Sequence, residues 1–338
     1  MDNTYLVAPA QASANPDMNL TRYINTFACA MQQRYGEKVH KVSINAAFTC
    51  PNRDGTKGIG GCTFCNNSSF NPNTQQAPGV CEQVAAGKQV IRKRTGARKY
   101  LAYFQAYTNT YAEISSLKAL YDEALAIDDV IGLSIGTRPD CVPDKVLDLL
   151  ASYRDQGYEI WLELGLQSTS DKVLQGVNRG HGFGEYVDAV NRVQQRELQY
   201  CTHLIAGLPG ESVQATADSA QRVISMGTTG LKLHPLHIVR GTQMARQWKQ
   251  GGVTPMTLDE YIQVVADIVC EAPPELIFHR LTGTANKDLL LAPDWTEYKW
   301  KVLNGIYLEL EQRGTIQGSA FGARIRQDNN AIIQSLSI

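Results

Sequence analysis

From Val39 onward, short runs rich in β-branched and aromatic residues alternate with longer stretches of helical periodicity. That rhythm is the one expected of strand–helix units laid around a parallel sheet. It predicts six strands, over 39–47, 99–107, 129–136, 159–166, 199–206 and 229–236. Helices are predicted between them over 80–94, 112–127, 143–156, 183–197 and 211–226, each long enough for a crossover between parallel neighbours. The expected fold class is α/β, an open partial barrel of six β/α units. Residues 1–38 read as a helical lead-in, 39–284 as the barrel, and 285–338 as a C-terminal cap carrying Trp295, Trp300 and Tyr307. No internal repeat or low-complexity segment interrupts this order.

The period-two alternation within each strand tells which side chains face the inside of such a barrel. In Ile160-Trp161-Leu162-Glu163-Leu164-Gly165-Leu166-Gln167 the leucines share the face suited to the outer helices, and Glu163 and Gln167 share the other. The same reading places Ser43, Asn45, Tyr103, Gln105, Ser134, Lys232 and His234 inside. A closed eight-stranded barrel fills that space with branched apolar residues, so a polar lumen suits an open barrel shaped to hold a ligand. The alternative is a set of edge strands with one wet face. Lys232 and Tyr103 fall on no cofactor motif and are candidates for substrate contact or proton transfer. A buried ion pair between Lys232 and Glu163 that holds the barrel together is the competing reading. His234 and His237, three residues apart along a strand, should point to opposite faces, which argues against a shared metal.

Composition changes this picture little, since 43% hydrophobic and 19% charged residues describe an ordinary globular protein. A formal net charge of −1 gives no overall field for nucleic acid or anionic membrane, so any RNA partner must meet a local patch. The candidate patch is Arg92, Lys93, Arg94, Arg98 and Lys99, although a charge run is commonly just a solvated helix face. The sequence holds no stretch approaching the roughly 20 apolar residues of a membrane span, and Met1 to Pro16 lack signal-peptide features. A cytoplasmic location without a membrane partner is expected. Reduced thiols are the rule there, so clustered cysteines point to metal or catalysis.

Of eight cysteines, three cluster, directly after the first strand. Cys50, Cys62 and Cys65 are separated by eleven and then two residues, with glycines at 55, 58, 60 and 61. These glycines let the loop wrap tightly and aim amide N–H groups at thiolate sulfur. Structural zinc prefers four closed ligands, and His40 and Cys81 are the nearest candidates for a fourth. A four-iron, four-sulfur cluster held by three thiolates keeps one iron open for a ligand. Cys29, Cys81, Cys141, Cys201 and Cys270 are isolated and read as small buried hydrophobes.

The cysteine loop is joined by Phe104-Gln105-Ala106-Tyr107-Thr108-Asn109-Thr110, Gly136-Thr137-Arg138-Pro139-Asp140, Glu163 to Ser168, Asn178-Arg179-Gly180-His181, and His203 to Glu211, in that order. Together they resemble the radical S-adenosylmethionine superfamily, in its branch similar to the catalytic subunit of Elongator, and within that branch the bacterial YhcC and YtqA family. The resemblance implies a partial barrel of that superfamily's type. It implies a four-iron, four-sulfur cluster on Cys50, Cys62 and Cys65, with Phe64 on the aromatic position before the last cysteine. The open iron would chelate S-adenosylmethionine, and one electron, from a donor such as flavodoxin or ferredoxin, would cleave it to methionine and a 5′-deoxyadenosyl radical. Gln105, Ala106 and Tyr107 match the segment that receives the methionine amino group. Glu163, Gln167 and Ser168 match the contacts to ribose or carboxylate, and Arg179 is a candidate for the carboxylate or else a solvated helix-end charge. Leu208, Pro209, Gly210, His234 and Leu236 match the segments around adenine. The branch implies transfer RNA, in its wobble-uridine region, as substrate. A small tetrapyrrole-like substrate and a non-enzymatic iron–sulfur or zinc protein are the alternatives. The Elongator subunit's acetyltransferase domain has no counterpart in this length of chain.

Overall fold

The computed structural model describes residues 19–66 and 79–321, so the readings of Met1 to Pro16 and of the last part of the cap lie outside the described residues. Each predicted strand is present. β1 (Val39–Ile44), β2 (Lys99–Phe104), β3 (Val130–Thr137), β4 (Glu159–Gln167), β5 (Gln199–Ala206) and β6 (Gly230–Pro235) pair in parallel and in chain order. Between them run α2 (Val80–Thr95), α3 (Ile114–Leu125), α4 (Asp144–Asp155), a short α5 (Asp171–Gly176), α6 (Phe183–Gln195) and α7 (Val213–Ser225). Leu133, Ile135, Leu162, Leu164, Leu166 and Leu204 point outward into the main core, against Leu117, Leu147, Val190 and Val223 of these helices.

The count of six strands needs one addition. After β7 (Ile238–Val239), α8 (Gln243–Lys249) and α9 (Leu258–Glu271), a seventh parallel strand, β8 (Ile277–Arg280), pairs with β6. Four residues are too few to show the alternation on which a sequence reading depends. β9 (Leu290–Ala292) pairs antiparallel with β7. α10 (Lys299–Arg313), the helix of the C-terminal region, packs on α9 outside the barrel.

The sheet stays open between β1 and β8, and α1 (Phe27–Tyr35) occupies the gap at the N-terminal ends of the strands. Phe278 donates its N–H to Asn25 at 2.9 Å, which fixes the chain entering α1 to β8. Thr26 caps α1 by accepting from the Cys29 N–H. Phe27 and Met31 then reach inward onto Leu101, Trp161, Cys201 and Ile277, forming an apolar plug beneath the lumen. The lumen is therefore closed below and open above, where the strands end.

Candidate active site

A cavity with about 1230 Å³ of empty space, counting its open mouth, occupies the lumen above this plug. That size suits a cofactor and a small reacting group together. Cys50, Cys62, Phe64, Cys65, Gln105, Tyr107, Gln167, Arg179, His234 and Leu236 line it, with Tyr103, Glu163 and Lys232 deeper.

The cysteine loop is tied down at several points. The backbone turns at Cys50, whose carbonyl accepts from the N–H groups of Arg53 and Asp54, and again at Cys62, which accepts from Cys65 at 2.9 Å. Asn52 and Asn178 clasp the loop from both sides: Asn52 Nδ2 donates to the Asn178 carbonyl at 2.6 Å, and Asn178 Nδ2 donates to that of Gly61 at 2.8 Å. Gly61 sits at φ +81°, and a Cβ there would lie 2.8 Å from Arg53 Nε. Glycine thus lets Arg53 pack flat on the loop and donate to the Cys65 carbonyl at 2.7 Å. Burial pushes the Cys65 thiol up and the neighbouring Cys62 adds to this, while Arg53 and Arg179 pull the other way.

This donor set fits the three protein ligands of an iron–sulfur cluster. The three thiols line one end of one cavity, whereas no three His, Cys, Asp or Glu side chains among the described residues converge as a single metal ion would need. Arg179 is buried, its Nη1 lies 3.4 Å from Cys62 Sγ, and its Nε has no hydrogen-bond partner among the described residues. It is not a solvated helix-end charge. At Gly165 a Cβ would meet Arg179 Nη2 at 2.9 Å, so glycine is required for that approach. Two residues on, a bulge in β4 puts Gln167 at φ +84° and aims it into the cavity, and Tyr107 likewise sits at φ +64°. Such left-handed non-glycine residues are uncommon and concentrate at binding sites.

Several expected contacts are placed differently. Ser168 is buried away from the cavity, its hydroxyl donating to Glu211 and accepting from the Ser170 N–H at 3.0 Å. Leu208 packs on Val177 and Leu236, while Pro209 and Gly210 line a separate cavity beside Glu211. Ala106 is buried between Gln105 and Tyr107 without reaching the lining. His234 and His237 both line the cavity, because β6 ends at Pro235 and strand alternation ends with it.

Glu163 needs the largest correction. Expected to contact ribose or a carboxylate, it is fully buried and already saturated. Oε1 accepts from Lys41 Nζ at 2.5 Å and Ser134 Oγ at 2.6 Å. Oε2 accepts from Lys232 Nζ and His203 Nε2, each at 2.8 Å, and from Tyr103 OH at 3.0 Å. A carboxylate offers about four lone-pair sites, and five donors leave none for a ligand. Burial alone would raise the Glu163 pKa, but Lys232 and Lys41, with His203 and His279, hold it well below its ordinary value. Burial lowers Lys232 to about 8 and His203 to about 4, so the histidine donates as a neutral imidazole. The Lys232–Glu163 ion pair is thus present, and Lys232 also reaches Tyr103 OH at 2.7 Å.

Four of these inner residues escape a sequence reading. Lys41 shares its strand face with Ser43, and His203 shares its own with Cys201, so alternation could have found both. His279 and Arg280 lie on the undrawn seventh strand. The basic run from Arg92 to Lys99 is at the wrong end for the cavity: it spans the last turn of α2 and the start of β2, at the closed end of the barrel. There it complements the negative end of the helix dipole. Of the aromatic residues named in the C-terminal cap, Trp295 and Tyr307 are buried and not free to stack on a base.

Comparison with known proteins gives the following. Family models described as "Radical SAM superfamily" and "Radical_SAM C-terminal domain" match residues 49–223 and 228–312. The chain is 46% identical over 305 residues to Protein YhcC of Escherichia coli (strain K12), covering 90% of this chain and 97% of that one. It is 29% identical over 154 residues to the tRNA uridine(34) acetyltransferase of Dehalococcoides mccartyi, covering 45% of this chain and 33% of that protein. The solved structure of archaeal Methanocaldococcus infernus Elp3 superposes with a TM-score of 0.59 at 19% identity, over 82% of this chain and 64% of that one. That likeness is one of fold. Among the described residues no helix is long and apolar enough to cross a membrane.

Proposed function

This chain belongs to the radical SAM superfamily of enzymes, which use a four-iron, four-sulfur cluster and S-adenosylmethionine, and from that premise we propose that it modifies transfer RNA in the wobble-uridine region. The observation that carries the cofactor assignment is that three thiols, Gln105, Gln167 and Arg179 line the mouth of one cavity. In this reading Cys50, Cys62 and Cys65 would hold the cluster, which when bound would supply the one electron for reductive cleavage of S-adenosylmethionine with release of methionine. Gln105 accepts from the methionine ammonium, Arg179 and Gln167 meet the carboxylate and ribose, and His234, Leu236 and Phe64 wall the adenine. Tyr103 and Lys232, in contact with each other below, hold and pass a proton at the reacting group. A small iron–sulfur or flavin protein such as ferredoxin or flavodoxin would deliver the electron.

The transfer RNA substrate is supported by the named activity of the Dehalococcoides relative, which aligns to under half of this chain. A second reading, a small tetrapyrrole-like substrate, is favoured by the position of the basic run at the closed end of the barrel. One experiment separates them. The protein is reconstituted anaerobically, reduced, and assayed for 5′-deoxyadenosine, and transfer RNA nucleosides from a deletion strain are compared with wild type by mass spectrometry. Iron and 5′-deoxyadenosine should be lost on replacing Cys50, Cys62 or Cys65 by Ala and kept in Cys141→Ala, which is outside the cavity. Unchanged nucleosides would discard transfer RNA in favour of the small molecule.

A further inference from the structure

At the depth of Glu163 the cavity carries more positive charge than its own residues neutralise. One carboxylate, Glu163, pairs with Lys41 and Lys232, and Arg280 lines the same cavity. Glu163 is also the only carboxylate among the described residues that line the cavity. Lys41 and Lys232 both bond to it, but Arg280 makes no hydrogen bond or ion pair among the described residues. Arg280 lies level with Lys232, its Cα partner across β6 and β8. Its field opposes protonation of Lys232 and of both His234 and His237. The four histidines around it, His203, His234, His237 and His279, are held neutral and add no positive charge, and none can offset it. A guanidinium with its five donors unspent, half out of water and level with the Lys232 ammonium, is free to meet an anion. Its planar fork matches a carboxylate or phosphate.

We propose that Arg280, with Lys232, forms an anion subsite on the cavity floor that takes the carboxylate or phosphate of a small substrate. This rests on reading the cavity as the reaction chamber. The subsite lies below the place assigned to the S-adenosylmethionine carboxylate. The register carries Arg280 and Lys232 across His203 to Gly165, two residues below Gln167 on β4, roughly 7 Å at the rise of a strand. An uncharged base alone would leave the surplus unmatched, so the anion belongs to a small substrate or co-substrate that enters the lumen whole.

Isothermal titration of the cluster-reconstituted protein, saturated with S-adenosylmethionine, tests this with inorganic phosphate and with succinate. At least one probe should bind. Arg280→Gln should weaken it tenfold or more, and Arg280→Lys by less. Because Arg280 has no partner to lose, Arg280→Gln should also melt no lower than the parent, so a loss of binding cannot be blamed on misfolding. Tighter phosphate would assign a phosphorylated substrate, and tighter succinate a carboxylic one. Absence of binding by both probes overturns the proposal, as does binding unchanged in Arg280→Gln. Competition between probe and S-adenosylmethionine overturns it too, since the cations would then belong to that cofactor. No RNA is present, so the result stands apart from the fate of the transfer RNA reading.

Discussion

Glu163 shows how a residue can be identified correctly as interior and still be given the wrong task. Strand alternation shows that its side chain points inward, and the resemblance then suggests a ligand contact. Neither could show that Lys41, Ser134, Tyr103, His203 and Lys232 would spend both its oxygens, because those donors come from five other strands. Their number makes Glu163 the anchor of the inner surface. Replacing it with Gln keeps the shape and removes the only charge that balances Lys41 and Lys232. Removing one partner of a buried pair typically costs about 3–5 kcal/mol, far more than the intact pair contributes. Urea denaturation of Glu163→Gln should show a loss of that size. A loss below about 1 kcal/mol would mean that water reaches the site and that the floor is not dry.

At the scale of elements, the strands were legible because each alternates over six or more residues and their outward faces are plainly apolar. β8 was not, and with it went Arg280, the residue that most distinguishes the cavity floor. The cysteine loop was legible as a ligand set from spacing alone, but not the clasp of Asn52 and Asn178, whose partners are more than a hundred residues apart. Arg53, packed on the same loop, explains why it carries glycine at 61. An added methyl must displace the Arg53 side chain and adopt a left-handed backbone, which costs an L-residue roughly 1 kcal/mol or more. Gly61→Ala should therefore fold, since the barrel does not depend on this loop, yet hold the three thiols less well. The expected outcome is a melting temperature within a few degrees of the parent and iron content reduced by half or more. Full iron incorporation would show that the loop is shaped by its cluster rather than prepared for it.

For the whole molecule, a near-neutral net charge hides an uneven distribution, with cations and neutral histidines drawn into one lumen. Burial is the largest cause in each case, and it lowers His203 and His237 to about 4 and His181 and His279 to about 3, and lowers His234 as well. Unfolded, these five side chains take up protons near their ordinary value of about 6.5. Between about pH 6.5 and 4 the unfolded chain therefore binds more protons than the folded one, and stability must fall as pH falls. Glu211 works the other way. Burial raises it to about 7, so the folded state holds one extra proton across the same window and offsets one histidine. Glu163 and Asp140 are both depressed, Asp140 to about 2, so their loss comes only at the acid edge of the window and beyond. The net difference approaches four protons, and at about 1.4 kcal/mol per proton per pH unit the slope is at most about 5 kcal/mol per unit. Urea denaturation of the cluster-free protein at steps from pH 7 to 4.5 should show stability dropping throughout, with the steepest loss below pH 6. Stability that is flat over that range would mean the cavity histidines are hydrated and titrate as they do in an unfolded chain.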